Sequence, residues 1–417
     1  MKTTRQLYFA LFICLGVFAN PIFADITKTV GANGADFATL QLAFDDINNN
    51  IGGVYTGVVQ LQIIDNTTEA STAVLNASAN WTSVKIYPTV TGKSIEGNLN
   101  TPLISFNGAN NVTIDGRLYN SSGTLTGSTK DLTISNANTG TGASTIYLTA
   151  NASNNTVTYT TIKGAGTGSN GTVMLSVPSA VDGMANNTFS YNLITGISAL
   201  VRPVYSVYAR GAGSFLNKGN KIQNNEFKDF FNLATASNAI DVDGLSDTWT
   251  IAGNSFYETS ATFAPTTNIA YSVIKFAGGR THTISGNYIG GSEAFANGKW
   301  TKNSTNNNNF TGILFAAGTG FTSAITNNTI KNLIWTSGTA TVTWKAIDIS
   351  GGGGQIILTN NTIVSATGTE SIVVTNATTG SSVYGIHIQN TGNTSCSNNT
   401  IGAMKTDNAP TNSTNLY

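Results

Sequence analysis

One short pattern recurs along the chain and leaves few folds open to it. In Ala239–Glu258 an apolar-x-apolar pair is followed by a polar turn and then by apolar-x-x-Asn-x-apolar. With Asn254 as reference, the same column reads Thr160, Asn187, Asn225, Asn287, Asn328, Asn361 and Asn399. Three residues earlier stand Val157, Met184, Ile222, Ile251, Ile284, Ile325, Leu358 and Cys396. Two residues later stand Ile162, Phe189, Phe227, Phe256, Ile289, Ile330, Ile363 and Ile401. Upstream lie the pairs Ile146/Leu148, Val173/Leu175, Val207/Ala209, Ile240/Val242, Ile274/Phe276, Ile313/Phe315, Ile347/Ile349 and Ile386/Ile388. Copies follow one another every 27 to 41 residues, the signature of a repeat architecture.

Inside each copy the apolar residues alternate with period two, which is strand spacing. β-Branched and aromatic residues fill the strands, and Gly, Asn, Ser and Thr fill the gaps. A unit of short strands without a helix cannot bury its own apolar face. Stacked units can: each strand pairs with its equivalent in the next, about 4.8 Å away, and inward residues form continuous columns. The expectation is an all-β chain, a right-handed parallel β-helix with turns of varying length. A β-propeller also has units of about 40 residues, but it needs four hairpin-joined strands per unit, and regular two-residue hairpin signals are missing here. Asn tolerates left-handed backbone geometry and suits a sharp bend. Stacked in register, its amides pair above and below as a ladder. A solvated turn residue is the alternative.

Residues 1–24 read as a secretory signal peptide. Lys2 and Arg5 supply the charge, Leu7–Phe18 the apolar run, and Ala24 the small residue at the cut. Secretion or display at the cell surface follows. Cys14 sits in the apolar run after Ile13, which argues against lipidation, and no later stretch is apolar enough to span a membrane. Without Lys2 and Arg5, 20 basic residues become 18 against 20 acidic ones, a net charge of about −2. So weak a charge argues against nucleic acid or an anionic membrane as partner. Cys396 is then the one cysteine left; its place in an apolar column predicts a buried, inert thiol.

The expected organisation is a cap over 25–56, a β-helix over 57–403, and a polar tail or truncated next coil over 404–417. Residues 31–48 carry a helical stripe of Phe37, Leu40, Ala43, Phe44 and Ile47, with Asp36 as expected N-cap. Such a helix would cover the exposed edge of the first coil. Val58–Ile64, Val84–Tyr87 and Leu103–Phe106 read as irregular first strands.

The stretch Gly34-x-Asp36-Phe37-x-Thr39-Leu40-x-x-Ala43 resembles the opening of pectin-active β-helix enzymes. Asn110–Gly116, NNVTIDG, is similar to segments of right-handed β-helix proteins of the pectate lyase-like superfamily. IDGRLYNSSGTLTGSTKDLTISNANTG, WTIAGNSFYET, NYIGGSEAFANGKWTK and the closing NNTIG resemble the large secreted β-helix proteins of Bacteroidetes. The likeness runs over about residues 27–403. It implies the fold and a secreted protein; it implies no particular activity.

The catalytic sets of that superfamily are not recognisable. His282 and His387 lack the Gly-His-Gly frame of polygalacturonases, and Arg202-Pro203 lacks the second Arg of the lyase motif. Asp241, Asp243 and Asp247 offer hard oxygens for calcium, or a plain acidic patch. Between each apolar pair one residue must point outward: Tyr147, Met174, Tyr208, Asp241, Lys275, Leu314, Asp348 and His387. Stacking would bring Asp241 to Lys275 and Asp348 to His387, about 5 Å apart. Two readings fit this row: a ligand-binding stripe centred on Tyr208, Asp241, Lys275, Asp348 and His387, or ordinary cross-strand charge pairs. Trp249, Trp300, Trp335 and Trp344 could stack on sugar rings if they face out. The expected function is a non-catalytic solenoid for adhesion, surface structure or glycan binding. The alternative is a lyase or glycoside hydrolase acting on acidic polysaccharide.

Overall fold

The computed structural model describes residues 25–417 apart from 177–182, 214–215, 262, 339, 365–370, 377–380, 409–414 and 417. The signal-peptide expectation therefore lies outside the described residues. The chain winds into a right-handed parallel β-helix. Its three long sheets hold 12, 11 and 11 strands, each coil adding one strand to each sheet. In the coil read first, Thr250–Ala252 lies in the first sheet, Ser255–Tyr257 in the second and Ala270–Phe276 in the third. All strand pairs between coils in these sheets are parallel, so the propeller alternative falls away.

The apolar columns stand in the register that stacking requires. Ile222, Ile251, Ile284, Ile325, Leu358 and Cys396 pair in sequence along the first sheet. Phe227, Phe256, Ile289, Ile330, Ile363 and Ile401 do so along the second. Most are wholly buried, and each buried side chain of this size stabilises by roughly 1.5–3 kcal/mol. Cys396 departs from expectation: it is exposed. Its strand, Thr394–Ser397, is the last of the first sheet among the described residues, and no described coil covers it. Ile401 in the same coil is 49% exposed for the same reason.

The Asn column is a continuous hydrogen-bonded ladder, with one correction. Its second rung is Asn192, not Asn187. Thr160 N–H donates to Asn192 Oδ1 at 2.9 Å, and Asn192 N–H donates to Asn225 Oδ1 at 2.9 Å. At Asn254 the backbone N–H and Nδ2 both reach Asn287 Oδ1 at 3.0 Å, while Nδ2 also meets the Ile222 carbonyl at 2.9 Å. The pattern repeats through Asn287, Asn328 and Asn361 to Asn399. Met184 and Phe189 shift with the correction: Phe189 pairs with Val157 and Ile222, and Ile194 takes the place two residues after the rung.

Asn187 belongs to a second ladder, at the corner that leads into the first sheet. There Val112 N–H donates to Asn155 Oδ1, Asn155 N–H to Asn187 Oδ1 and Asn187 N–H to Asn220 Oδ1, at 2.8 to 3.0 Å. Both corners use one device. A residue with φ near +50 to +66° turns the chain, and the next residue supplies the rung: Asn224, Gly253, Gly286, Asn327 and Asn360 at one corner, Asn154, Asn186 and Gly219 at the other.

The cap is a helix over Leu40–Asn49 with Leu40, Ala43, Phe44 and Ile47 buried. Thr39 caps it, accepting from Leu42 N–H at 3.2 Å; Asp36 is not the N-cap but holds Thr29. Glu69, buried on the first strand of the second sheet, accepts the Leu40 and Gln41 N–H groups at 2.9 Å each. A carboxylate there satisfies open amides and complements the helix dipole. The helix thus covers the second and third sheets where they begin, while Ile26–Val30 edges the first.

A fourth parallel sheet was not foreseen. Trp300–Lys302, Leu333–Ser337, Ile372–Asn376 and Met404–Asn408 stack between the second and third sheets. With Asn415–Leu416 on the third sheet, strand stacking runs past residue 403. No helix among the described residues is long and apolar enough to cross a membrane.

Candidate functional site

The outer face of the third sheet carries the row expected from sequence. Tyr147, Met174, Tyr208, Asp241, Lys275, Leu314, Asp348 and His387 occupy equivalent positions on eight successive strands. Three residues earlier runs a companion row of Tyr205, Asn238, Ser272, Thr311, Lys345 and Tyr384. The two rows interlock. Tyr205 and Tyr208 stack with ring centres 4.8 Å apart. Asp241 accepts from Lys275 Nζ at 3.0 Å and from Asn238 Nδ2 at 2.9 Å. Asp348 is held between Lys345 Nζ and His387 Nδ1, each at 2.8 Å. The His387 ring lies 4.6 Å from that of Tyr384.

Both aspartates are nearly covered, at 4% and 5% exposure, whereas Lys275 and His387 remain half-buried. Burial pushes the Asp241 carboxyl above its ordinary value, and the Lys275 ammonium pulls against that shift. Burial, then the Asp241 charge, pushes the Tyr205 and Tyr208 phenols up. The face therefore offers two ammonium donors, an imidazole and phenol rings, with Leu314 as an apolar step among them, while Met174 and the two carboxylates lie nearly covered beneath. The paired carboxylates lie three coils apart, about 14 Å at strand spacing, too far to act on one bond.

Other expected site residues lie elsewhere. Trp249, Trp300, Trp335 and Trp344 are all buried to within 1%, so none can stack on an external sugar. Trp300, Trp335 and Trp344 pack with Phe230, Phe263 and Phe310 inside the solenoid. Arg202 is buried too, in a bidentate ion pair with Glu258 at 2.5 and 2.9 Å. Burial pushes the Glu258 carboxyl up to about 7 against the pull of Arg202. His282 is a rung of the second ladder: its ring Nδ1 accepts the Trp249 backbone N–H at 3.2 Å, and its own backbone N–H donates to Ser323 Oγ at 2.9 Å. Burial holds it neutral, down to about 4.

Asp243 accepts from the Gly211 and Leu245 amides at 2.9 and 3.0 Å, apart from the Asp241 pair. Among the described residues, no group of three or more His, Cys, Asp or Glu side chains is placed to hold a metal ion. Lys302, which the sequence did not single out, is fully buried. Its Nζ donates to the carbonyls of Ser304, Asn306 and Thr336, and desolvation lowers it to about 8.

No family model matches the chain, and no curated protein matches it. Among solved structures it is similar to PfbA, a surface adhesin of Streptococcus pneumoniae, at 12% identity and TM-score 0.39, over 88% of this chain and 86% of that one. It is also similar to the A-module of the Azotobacter vinelandii mannuronan C-5 epimerase AlgE6, at 12% identity and TM-score 0.41, over 88% of this chain and 94% of that one.

Proposed function

We propose that the chain is a secreted, non-catalytic β-solenoid that binds a glycan along the outer face of its third sheet. One observation carries this reading: aromatic, charged and apolar side chains stand in register on a single face, held by their own hydrogen bonds. From Tyr208 to His387 the row spans five coil steps, about 24 Å, longer than one sugar ring. Saccharides need hydroxyl partners and apolar faces together, and the row alternates them. Preset side chains lose little conformational freedom on binding.

The test is calorimetric titration of the mature chain with neutral and uronate-containing oligosaccharides, while product release is followed. The expected result is binding without cleavage. Lys275→Ala and His387→Ala should each weaken it roughly tenfold, the loss of one charge-assisted contact. Affinity unchanged in both variants would sink the reading. Cleavage lost in either variant would make the protein a polysaccharide lyase or hydrolase instead.

A further inference from the structure

A second surface lies at the corner between the first and second sheets. The residue that turns the chain there has a positive φ in every coil from Tyr159 to Asn398, and it is Asn or Gly in all but two. The exceptions are Tyr159 at φ 50° and Tyr191 at φ 57°. A side chain of this size disfavours the left-handed region by roughly 1–2 kcal/mol, and retained strain of this kind clusters at functional sites.

The two rings do not fill the core. They stack on each other outside it, centres 4.9 Å apart and 14° from parallel, and Tyr191 is 44% exposed. Arg117 continues the stack on the other side, its guanidinium 4.4 Å from the Tyr159 ring centre. Asp115 fixes that guanidinium through two hydrogen bonds of 3.0 and 2.7 Å.

The next corner residue is Asn224, which has no ring to continue the stack. Tyr159, Tyr191 and Asn224 line a cleft of about 420 Å³ with Ser128, Thr129, Lys130 and Glu226. Its far wall is the segment 128–130, which leaves its own coil and is tied to a later one by Lys130 Nζ to Glu226 Oε1 at 3.3 Å. The other Glu226 oxygen accepts the Tyr257 hydroxyl at 2.7 Å. The two charge pairs, Arg117–Asp115 and Lys130–Glu226, each cancel internally.

We propose that this corner is a second binding site, for a neutral saccharide ring stacked on Tyr191. The aromatic stack supplies the apolar platform. Ser128 and Thr129 hydroxyls, the Asn224 amide and the Lys130–Glu226 pair supply hydroxyl partners. Balanced charge disfavours uronates, which would meet no unpaired cation here. This site stands apart from the third-sheet face and does not depend on it.

The key variant is Tyr191→Asn, because Asn is the column's own solution. It should fold as stably as the parent or better, and bind less. The probe is a set of neutral hexasaccharides of gluco, xylo, manno and galacto configuration, titrated into the full mature chain and read by calorimetry. At least one should bind, roughly tenfold more weakly to Tyr191→Asn and Tyr159→Asn. Equal affinity in parent and Tyr191→Asn overturns the proposal, as does no binding of any probe at millimolar concentration. Asp241→Ala separates the surfaces: loss there without loss in Tyr191→Asn would assign the binding to the third sheet and also overturn it.

Discussion

The two corners of each coil solve one problem in different ways. At the corner between the first and second sheets, Asn supplies every rung from Asn192 to Asn399. At the corner entering the first sheet, Asn155, Asn187 and Asn220 give way to Trp249, His282 and Ser323. The turning residue changes as well, from Asn186 and Gly219 to Thr248 and Thr281 at φ 51°. The need is the same, an acceptor in the next coil for a buried N–H, but Trp249 interrupts this ladder: its indole only donates, and it reaches back to the Asn217 carbonyl at 2.9 Å. A carboxamide meets the need and satisfies itself; an imidazole nitrogen or a hydroxyl meets it with less redundancy. What is uniform is therefore the geometry, and residue identity follows only where nothing cheaper fits.

The strongest way to break this comparison is to remove a rung from the uniform corner. Asn287→Ala should cost about 3–4 kcal/mol, since several buried groups lose partners. Asn390→Ala, a partly exposed turn amide bonded to the Gly354 carbonyl and Thr394, should cost well under half of that. Equal urea midpoints for the two would mean that the ladder carries no special weight.

Acid sharpens the contrast next. His282 is held down to about 4 by burial in the fold, against 6.5 for an unshifted imidazole. Between those values the unfolded chain takes up a proton that the folded chain refuses. Its contribution is complete above pH 6.5 and is lost as pH falls toward 4, on the order of 3 kcal/mol. His282→Asn should flatten that slope in urea titrations run at a series of pH values; an unchanged slope would place the acid sensitivity elsewhere.

The smallest effect tests the turning residues. Thr281→Asn should raise stability by about 1 kcal/mol, since Asn accepts the left-handed region more readily. The reciprocal Asn327→Thr should lower it by a similar amount. Matching melting shifts of one sign for both would show that neighbours, not backbone strain, decide the choice.

The same contrast explains what could be read from the chain alone. The uniform corner was legible because Asn recurs at Asn225, Asn254, Asn287, Asn328, Asn361 and Asn399. In the second copy, Asn187-Thr-Phe189 matches the pattern better than Asn192-Leu-Ile194, because each corner has its own αL residue followed by Asn. Spacing held the missing hint: with Asn192 as the rung, the shortest interval becomes 29 residues instead of 27. His282 as a rung was hidden, since nothing local distinguishes it from a surface imidazole. The outward row was legible because strand parity alone sets it. The Trp residues were not: Trp300 and Trp335 lie on strands of the fourth sheet, whose alternation in WTK and LIWTS has no Asn rung to mark its register, and Trp344 lies on a third-sheet strand ahead of its apolar pair. The Tyr159–Tyr191 stack was missed because the turn column was read for its Asn residues rather than for its exceptions.

The Asn192–Asn399 ladder also has an arrow. Each rung gives its backbone N–H and its Nδ2 forward, to the oxygen of the following coil, and reaches back only to a carbonyl. Alanine at position 287 would still offer its own N–H to Asn328 Oδ1. Behind it, the Asn254 N–H and Nδ2 would lose their acceptor, and the Ile251 carbonyl its donor. The coil made before the lesion loses its acceptor outright, whereas the coil made after it keeps one of two donors to its oxygen. Damage in this rod has a direction, and it runs toward the capping helix.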